Sequence, residues 1–389
     1  MNDLAAPSAK TIISELIDAT PAGISRAEIA STTGFSSSTV SNIVRELISA
    51  GEVDESPAAS TGGRRTQVLK PTHRHDPIWL SEIGSAHARI GIADRPGNLV
   101  ATEEVPLSLT DRPHVVLANI IDHLQKLSEK SLGKSGAAAL GIALPGPVDR
   151  TEHMVVGAAR MPGWNNVALA PILRELIDAP VELDNDARAG AVGECAMREE
   201  TPGTWNGIYI KAGTGIGGAA VLNGEIYTGG RGLAGDIAHN SVPEAGDRPC
   251  SCGRTGCMET VASGAGIIRA LGEEGIDVHT VAQVVERAEQ WDPVVTTMLR
   301  GAGTSVGRVL APLVTFLNPT DVIVGGSLSS IDVFTASIRS ELYARCLPMT
   351  TKDLTIEASR TKADAALYGM AELCFAAINR TNQGATTPS

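Results

Sequence analysis

The chain has 389 residues, 43% of them hydrophobic and 20% charged, with 41 glycines; this composition suits a globular protein of two or three domains. No stretch approaches the roughly 18 uninterrupted apolar residues that a membrane span needs, and the MNDLAAPSAK start lacks the basic-then-apolar pattern of a secretion signal. The expected setting is therefore the cytoplasm, with no membrane partner. There, reducing conditions favour metal-bound or free thiols over disulfides. The formal charge is -12, but residues 1–75 carry seven Lys/Arg against eight Asp/Glu, leaving 25 against 36 for the rest. The acidity lies in the body, so net charge neither supports nor excludes nucleic-acid binding, which depends on local clusters.

Residues 9–19 place Ile12, Ile13, Leu16 and Ile17 on one face of a predicted helix. Ser25 and Glu28 then form a capping-box pattern that opens a short second helix. Gly34 follows that helix, where a turn favours a residue free of a Cβ. A third helix starts near Ser36–Ser38, with Val40, Ile43, Val44 and Leu47 facing inward. Small Ala30, Gly34 at the turn, and Val40 with Ile43 match the spacing of a helix-turn-helix. The outward set is Ser37, Ser38, Thr39, Ser41, Asn42 and Arg45, short donors and acceptors plus one guanidinium, suited to base edges and phosphates of double-stranded DNA. After it, GEVDES and QVLKP read as two strands of a wing whose tip carries Arg64 and Arg65. A winged three-helix unit also serves as a protein-binding or dimerisation module, so that alternative stands beside DNA binding.

From residue 78 the pattern becomes strands that lead into Gly- or Asp-containing loops, with helices between and after them. Such alternation indicates α/β architecture with sites at strand ends. His239, Cys250, Cys252 and Cys257 follow in the order H-x10-C-x-C-x4-C within a Gly- and Arg-rich loop. Four such ligands in so short a span suit tetrahedral zinc, and a full protein ligand set makes the site structural. Cys195, Cys346 and Cys374 stand singly in apolar contexts and are expected in the core.

Several body segments carry a family resemblance. In order they are Leu144–Asp149, Met161–Trp164, Asp184–Arg188, Gly213–Gly218, the cluster from Gly235 to Glu259, and Val322–Gly326. Across about 78–380 the chain resembles the ROK family of repressors and sugar kinases, which implies a two-lobed actin-like, hexokinase-type ATPase fold. A winged helix ahead of this body is how the family's repressors are built. The resulting division is a winged helix-turn-helix at 1–75, a first lobe at 76–185 completed by a helix near 362–380, a second lobe at 186–361 with the zinc loop and sugar site, and a polar tail at 381–389 expected to be disordered.

Sugar hydroxyls pair best with carboxylates and amides. The resemblance implies that Asn185, Asp186, Asp236, His239 and Glu259, with Asn166 on the far side, bind a sugar or sugar phosphate. It also gives Asp186 the position of the kinases' general base and lets His239 serve both metal and sugar. Helix N-capping is the alternative role for Asp184 and Asp186. Two departures stand out: Asp184 and Asp236 replace the family's usual glutamates, and each shorter side chain pulls its carboxylate back by about 1.5 Å, enough to change which sugar fits.

The family's kinases carry Asp-x-Gly-Gly-Thr-Lys on the first hairpin. Here the matching stretch is Glu82-Ile-Gly84-Ser85-Ala86-His87, so a Cβ and a lost hydroxyl stand where phosphate should be gripped. Gly213–Gly218 and Gly325–Gly326 survive, although tight turns alone explain glycines. The expectation is a non-enzymatic, sugar-responsive repressor, a homodimer or homotetramer on a palindromic operator. A bifunctional sugar kinase that also binds DNA is the alternative, and a protein-binding scaffold is a third.

Overall fold

A computed structural model describes residues 8–384 except 19, 21–22, 50–52, 58–66, 72–75, 151, 158–160, 162, 199–203 and 231. It divides into two compact units, Met1–His75 and Asp76–Ser389.

In the first unit, α1 (Ala9–Asp18), α2 (Arg26–Thr33) and α3 (Ser37–Ser49) precede an antiparallel pair, β1 (Val53–Pro57) and β2 (Gln67–Pro71). Ser25 caps α2 through a reciprocal box with Glu28, and Gly34 ends it in the left-handed region at φ 74°. Ile13, Ile17, Ile29, Val40, Val44, Leu47 and Leu69 are fully buried together. At about 1.5–3 kcal/mol for each large aliphatic side chain buried, this cluster holds three short helices that would not persist alone. Ile24 also pairs with Leu69, which ties the α1–α2 connection to the wing. This is the winged-helix arrangement.

The second unit repeats one sheet plan. Its first sheet contains β3 (Ile78–Ile83), β4 (His87–Arg95), β5 (Asn98–Pro106), β6 (Ala139–Leu144) and β9 (Val181–Asn185) in the order β5-β4-β3-β6-β9. Between these strands lie α4 (Pro113–Leu132), the small pair β7 (Val148–Asp149) and β8 (Met154–Val155), and α5 (Leu169–Leu176). Helix α6 (Asp186–Ala196) follows directly. The second sheet contains β10 (Gly207–Ala212), β11 (Ile216–Leu222), β12 (Glu225–Tyr227), β13 (Asp321–Gly325) and β14 (Thr355–Ala358) in the order β12-β11-β10-β13-β14. In each sheet three strands form an antiparallel meander and two more add in parallel.

Helices α7 (Glu259–Ala262), α8 (Gly264–Glu273), α9 (Val281–Glu289), α10 (Pro293–Leu317) and α11 (Asp332–Arg345) cover the second sheet, and the short α12 (Pro348–Thr351) packs on α11. The last helix, α13 (Ala365–Gly384), returns to the first sheet, where Leu367, Met370 and Cys374 pack with Ile78, Leu80 and Ala139. It crosses α6 at backbone distance: a Cβ at Gly369 would stand 1.8 Å from the Ala189 carbonyl oxygen, and one at Gly193 2.1 Å from that of Ala365. Only glycines permit that approach. No helix among the described residues is long and apolar enough to cross a membrane.

Candidate functional site

The strands of the second unit deliver polar groups to one cluster. Glu82 is the fifth residue of β3, and Lys211 is the fifth of β10. The Lys211 ammonium donates to Glu82 Oε1 and, at 2.5 Å, to Oδ2 of Asp186 at the start of α6. Side-chain exposure is only 12% at Asp186, 15% at Glu82 and 19% at Lys211. Burial pulls the Lys211 pKa down, but the Asp186 and Glu82 carboxylates outweigh it and leave it above the ordinary value. The lysine is therefore held charged.

The sequence offered capping roles to Asp184 and Asp186, but Asn185 is the cap: its Oδ1 accepts from the amides of Ala187 and Arg188. Its amide donates to Gly146 O and Asp186 Oδ1, so both ends of the side chain are engaged. Asn185 is the extended residue directly before the helix, while Asp186 is already helical and Asp184 lies one residue too early in β9. Asp184 is buried and bound to Arg188 at 2.7 Å. Arg188 in turn donates to the carbonyls of Gly232 and Val148. The shorter carboxylate at 184 thus serves an internal ion pair. Asp186 Oδ1 also accepts from Ala187 N. Three of the roughly four acceptor positions of this carboxylate are filled, leaving one for a ligand hydroxyl.

Glu259 opens α7 and is buried. Its Oε2 accepts from Ile216 N at 2.9 Å, and its own N–H donates to Ala238 O. Ile216 begins β11, and at the next residue a Cβ on Gly217 would lie 2.9 Å from Ala187 Cβ and 4.0 Å from Asp186 Oδ1. Gly235, at φ 101°, lies so close to Gly218 that a Cβ there would stand 2.1 Å from its carbonyl oxygen. The start of β11 thus joins Asp186, Glu259 and the segment 235–239. Asp236 is exposed, His239 half-buried, and Asn166 exposed at φ 59° with its N–H on Val155 O.

The donor atoms of His239, Cys250, Cys252 and Cys257 all lie within 4.8 Å of one another. Cys250 Sγ is 3.5 Å from His239 Nδ1, and Cys252 Sγ is 3.7 Å from Cys257 Sγ. A tetrahedron with metal–sulfur bonds of about 2.3 Å has edges near 3.8 Å, so this donor set fits a tetrahedral ion. The backbone prepares it: Cys250 N donates to Arg254 O, and Gly253 and Gly256 take φ of 85° and 74° to fold the knuckle. Burial and the neighbouring thiols push Cys257 up to about 12. At Cys252 burial acts the same way, but the Arg254 backbone and the adjacent thiols prevail and lower it.

On α3 of the first unit, Ser37, Ser38, Asn42 and Arg45 are exposed while Thr39 and Ser41 are half-buried. Arg45 Nη1 donates to Asn42 Oδ1 at 3.2 Å, and Ser36, Ser38 and Thr39 share hydroxyl hydrogen bonds. Arg64 and Arg65 lie outside the described residues. Lys211 was missed by the sequence reading; its one signal is a lone ammonium within the apolar strand GIYIKA.

Two similar sheets around a strand-end cluster and a Cys/His knuckle beside it, in a chain that carries a winged helix earlier in its sequence, define a regulator-type member of the actin-like sugar-kinase fold. The model of the ROK family matches residues 81–377, and the chain belongs to the ROK family. The chain is 30% identical to a glucokinase of Halalkalibacterium halodurans, across 74% of this chain and 92% of the glucokinase. It is 27% identical to a xylose repressor of Caldicellulosiruptor bescii, across 89% of this chain and 90% of the repressor. Among solved structures, a ROK family transcriptional regulator, a homologue of the E. coli Mlc protein, superposes with a TM-score of 0.67 at 23% identity, covering 94% of both chains.

Proposed function

We propose that the protein is a DNA-binding transcriptional repressor of carbohydrate genes whose operator affinity responds to a sugar bound in the ROK body. The observation that carries this reading is the conjunction of an exposed polar face on α3 with a sugar-type acceptor cluster around Asp186 and Glu259. Similarity to a xylose repressor across 89% of the chain, a span that reaches beyond the body, supports it. In this reading Ser37, Ser38, Thr39, Ser41, Asn42 and Arg45 contact DNA, with Arg64 and Arg65 on phosphate. Asn185, Asp186, Asp236, His239, Glu259 and Asn166 form the sugar pocket.

Zinc is the ion we assign to His239, Cys250, Cys252 and Cys257. It would fix the lead-in to Glu259 through the Glu259 N–Ala238 O bond. The body does not phosphorylate its sugar: the 82–87 turn has lost its phosphate-gripping residues, and Asp186 Oδ2 is engaged by Lys211. Similarity to a glucokinase at 30% identity keeps phosphorylation as the second reading. A ligand that changes operator affinity by about 5- to 150-fold would correspond to about 1–3 kcal/mol of coupling. A symmetric oligomer would read a palindrome.

The test is selection of fragments from the source organism's genomic DNA by the full-length, zinc-loaded protein, with and without a sugar panel. Enrichment of a palindrome whose retention changes with one sugar is expected. Failure to enrich any fragment under every condition would remove the regulator reading.

A further inference from the structure

The strongest unassigned feature is Lys211. Its ammonium touches carboxylate oxygens from two different strand ends, Glu82 from the first sheet and Asp186 after the last strand of the same sheet. Both acids therefore face one another across a gap the size of a single cation. Two carboxylates completed by water are a sufficient protein contribution for magnesium or manganese, which bind oxygen ligands at about 2.0–2.1 Å and keep much of their hydration. In this chain a covalently tethered +1 charge takes that place. The three groups together carry -1, against -2 for the carboxylates alone, and little water reaches them at 12–19% side-chain exposure.

We infer that Lys211 is a resident counter-ion that fills the position where Glu82 and Asp186 would otherwise hold a divalent cation. The cleft is thereby restricted to ligands that bring no metal, neutral sugars rather than metal-nucleotide complexes. The restriction to sugars rests on the sugar-pocket reading proposed above; the exclusion of the cation does not, since it follows from the three side chains alone.

The lysine's geometry also explains why it stays. Removing it would leave two like charges confined together, which protonation, a metal ion or local opening must relieve. Of these, only metal uptake leaves a stoichiometric, spectroscopic trace.

The experiment titrates Mn2+ into full-length, zinc-loaded protein and follows the free-ion electron paramagnetic resonance signal. Wild type, Lys211→Met and the double variant Lys211→Met/Glu82→Gln are compared. Lys211→Met is expected to take up about one Mn2+ per chain, at least about tenfold tighter than either of the others. A parallel melting measurement covers the case in which Lys211→Met is poorly folded: Mn2+ should raise its melting temperature, or restore its fold, and leave wild type and the double variant unchanged. Wild-type uptake of Mn2+ as tight as that of Lys211→Met would overturn the inference. So would a Lys211→Met protein, folded or not, that neither binds Mn2+ nor is stabilised by it. Absence of DNA or sugar binding would count against the regulator reading and leave this result untouched.

Discussion

The two sheets of the body place their first hairpins at equivalent positions, and the two hairpins have diverged in opposite directions. The β3–β4 turn, Gly84-Ser85-Ala86, has lost the phosphate-loop pattern, yet a Cβ at Gly84 would stand 2.9 Å from the His87 carbonyl oxygen. The β10–β11 turn keeps the glycine pattern, yet a Cβ at Gly213 would meet nothing within 4 Å. One glycine is required by its own hairpin and the other is not. Just before each turn, equivalent strand positions carry opposite charges, Glu82 and Lys211, and those charges pair. A motif's survival is thus a poor guide to what a turn does, and the residue one strand position earlier is a better one.

The largest effect should come from breaking that pair. Lys211→Met leaves Glu82 and Asp186 largely buried without their counter-ion, and should cost about 3 kcal/mol of stability, the lower end for a broken buried pair because each group keeps some exposure. Chemical denaturation checks this, and adding Glu82→Gln should recover part of the loss. A loss below about 0.5 kcal/mol, the range of an ordinary surface change, would mean that the pair holds nothing together.

A smaller contrast sharpens the comparison of the turns. Gly84→Ala should cost about 2 kcal/mol, because backbone rather than a flexible side chain must yield. Gly213→Ala should stay within about 0.5 kcal/mol. The same denaturation assay reads both, and equal costs would erase the distinction.

Much of this was readable in one dimension. The Ser25–Glu28 box, Gly34 and the inward set of α3 are local, because caps and helical periodicity depend on residues three or four apart. The His239–Cys257 knuckle was equally local. Fully buried Cys374 and buried Cys346 met the expectation of core positions, while Cys195 is half-buried. Lys211 was not readable, since Glu82 and Asp186 stand 129 and 25 residues away in sequence. Nor was the role of Asp184, which depends on an Arg188 that also reaches Gly232 and Val148. The α6–α13 crossing escaped for the same reason: Gly193 and Gly369 look like interrupted helix until the partner backbone is in place. The repeated sheet order is a property of strand pairing, which the residue pattern did not disclose.

In the proposed function the body senses a sugar without converting it. The most direct measurement is the fate of the effector: full-length protein is incubated with the sugar that alters DNA retention, with and without magnesium and ATP, and the sugar is then recovered and analysed. The same change in DNA retention is expected in both cases, with the sugar recovered unphosphorylated. A sugar phosphate formed at catalytic turnover, or a response that appears only with magnesium and ATP, would contradict it.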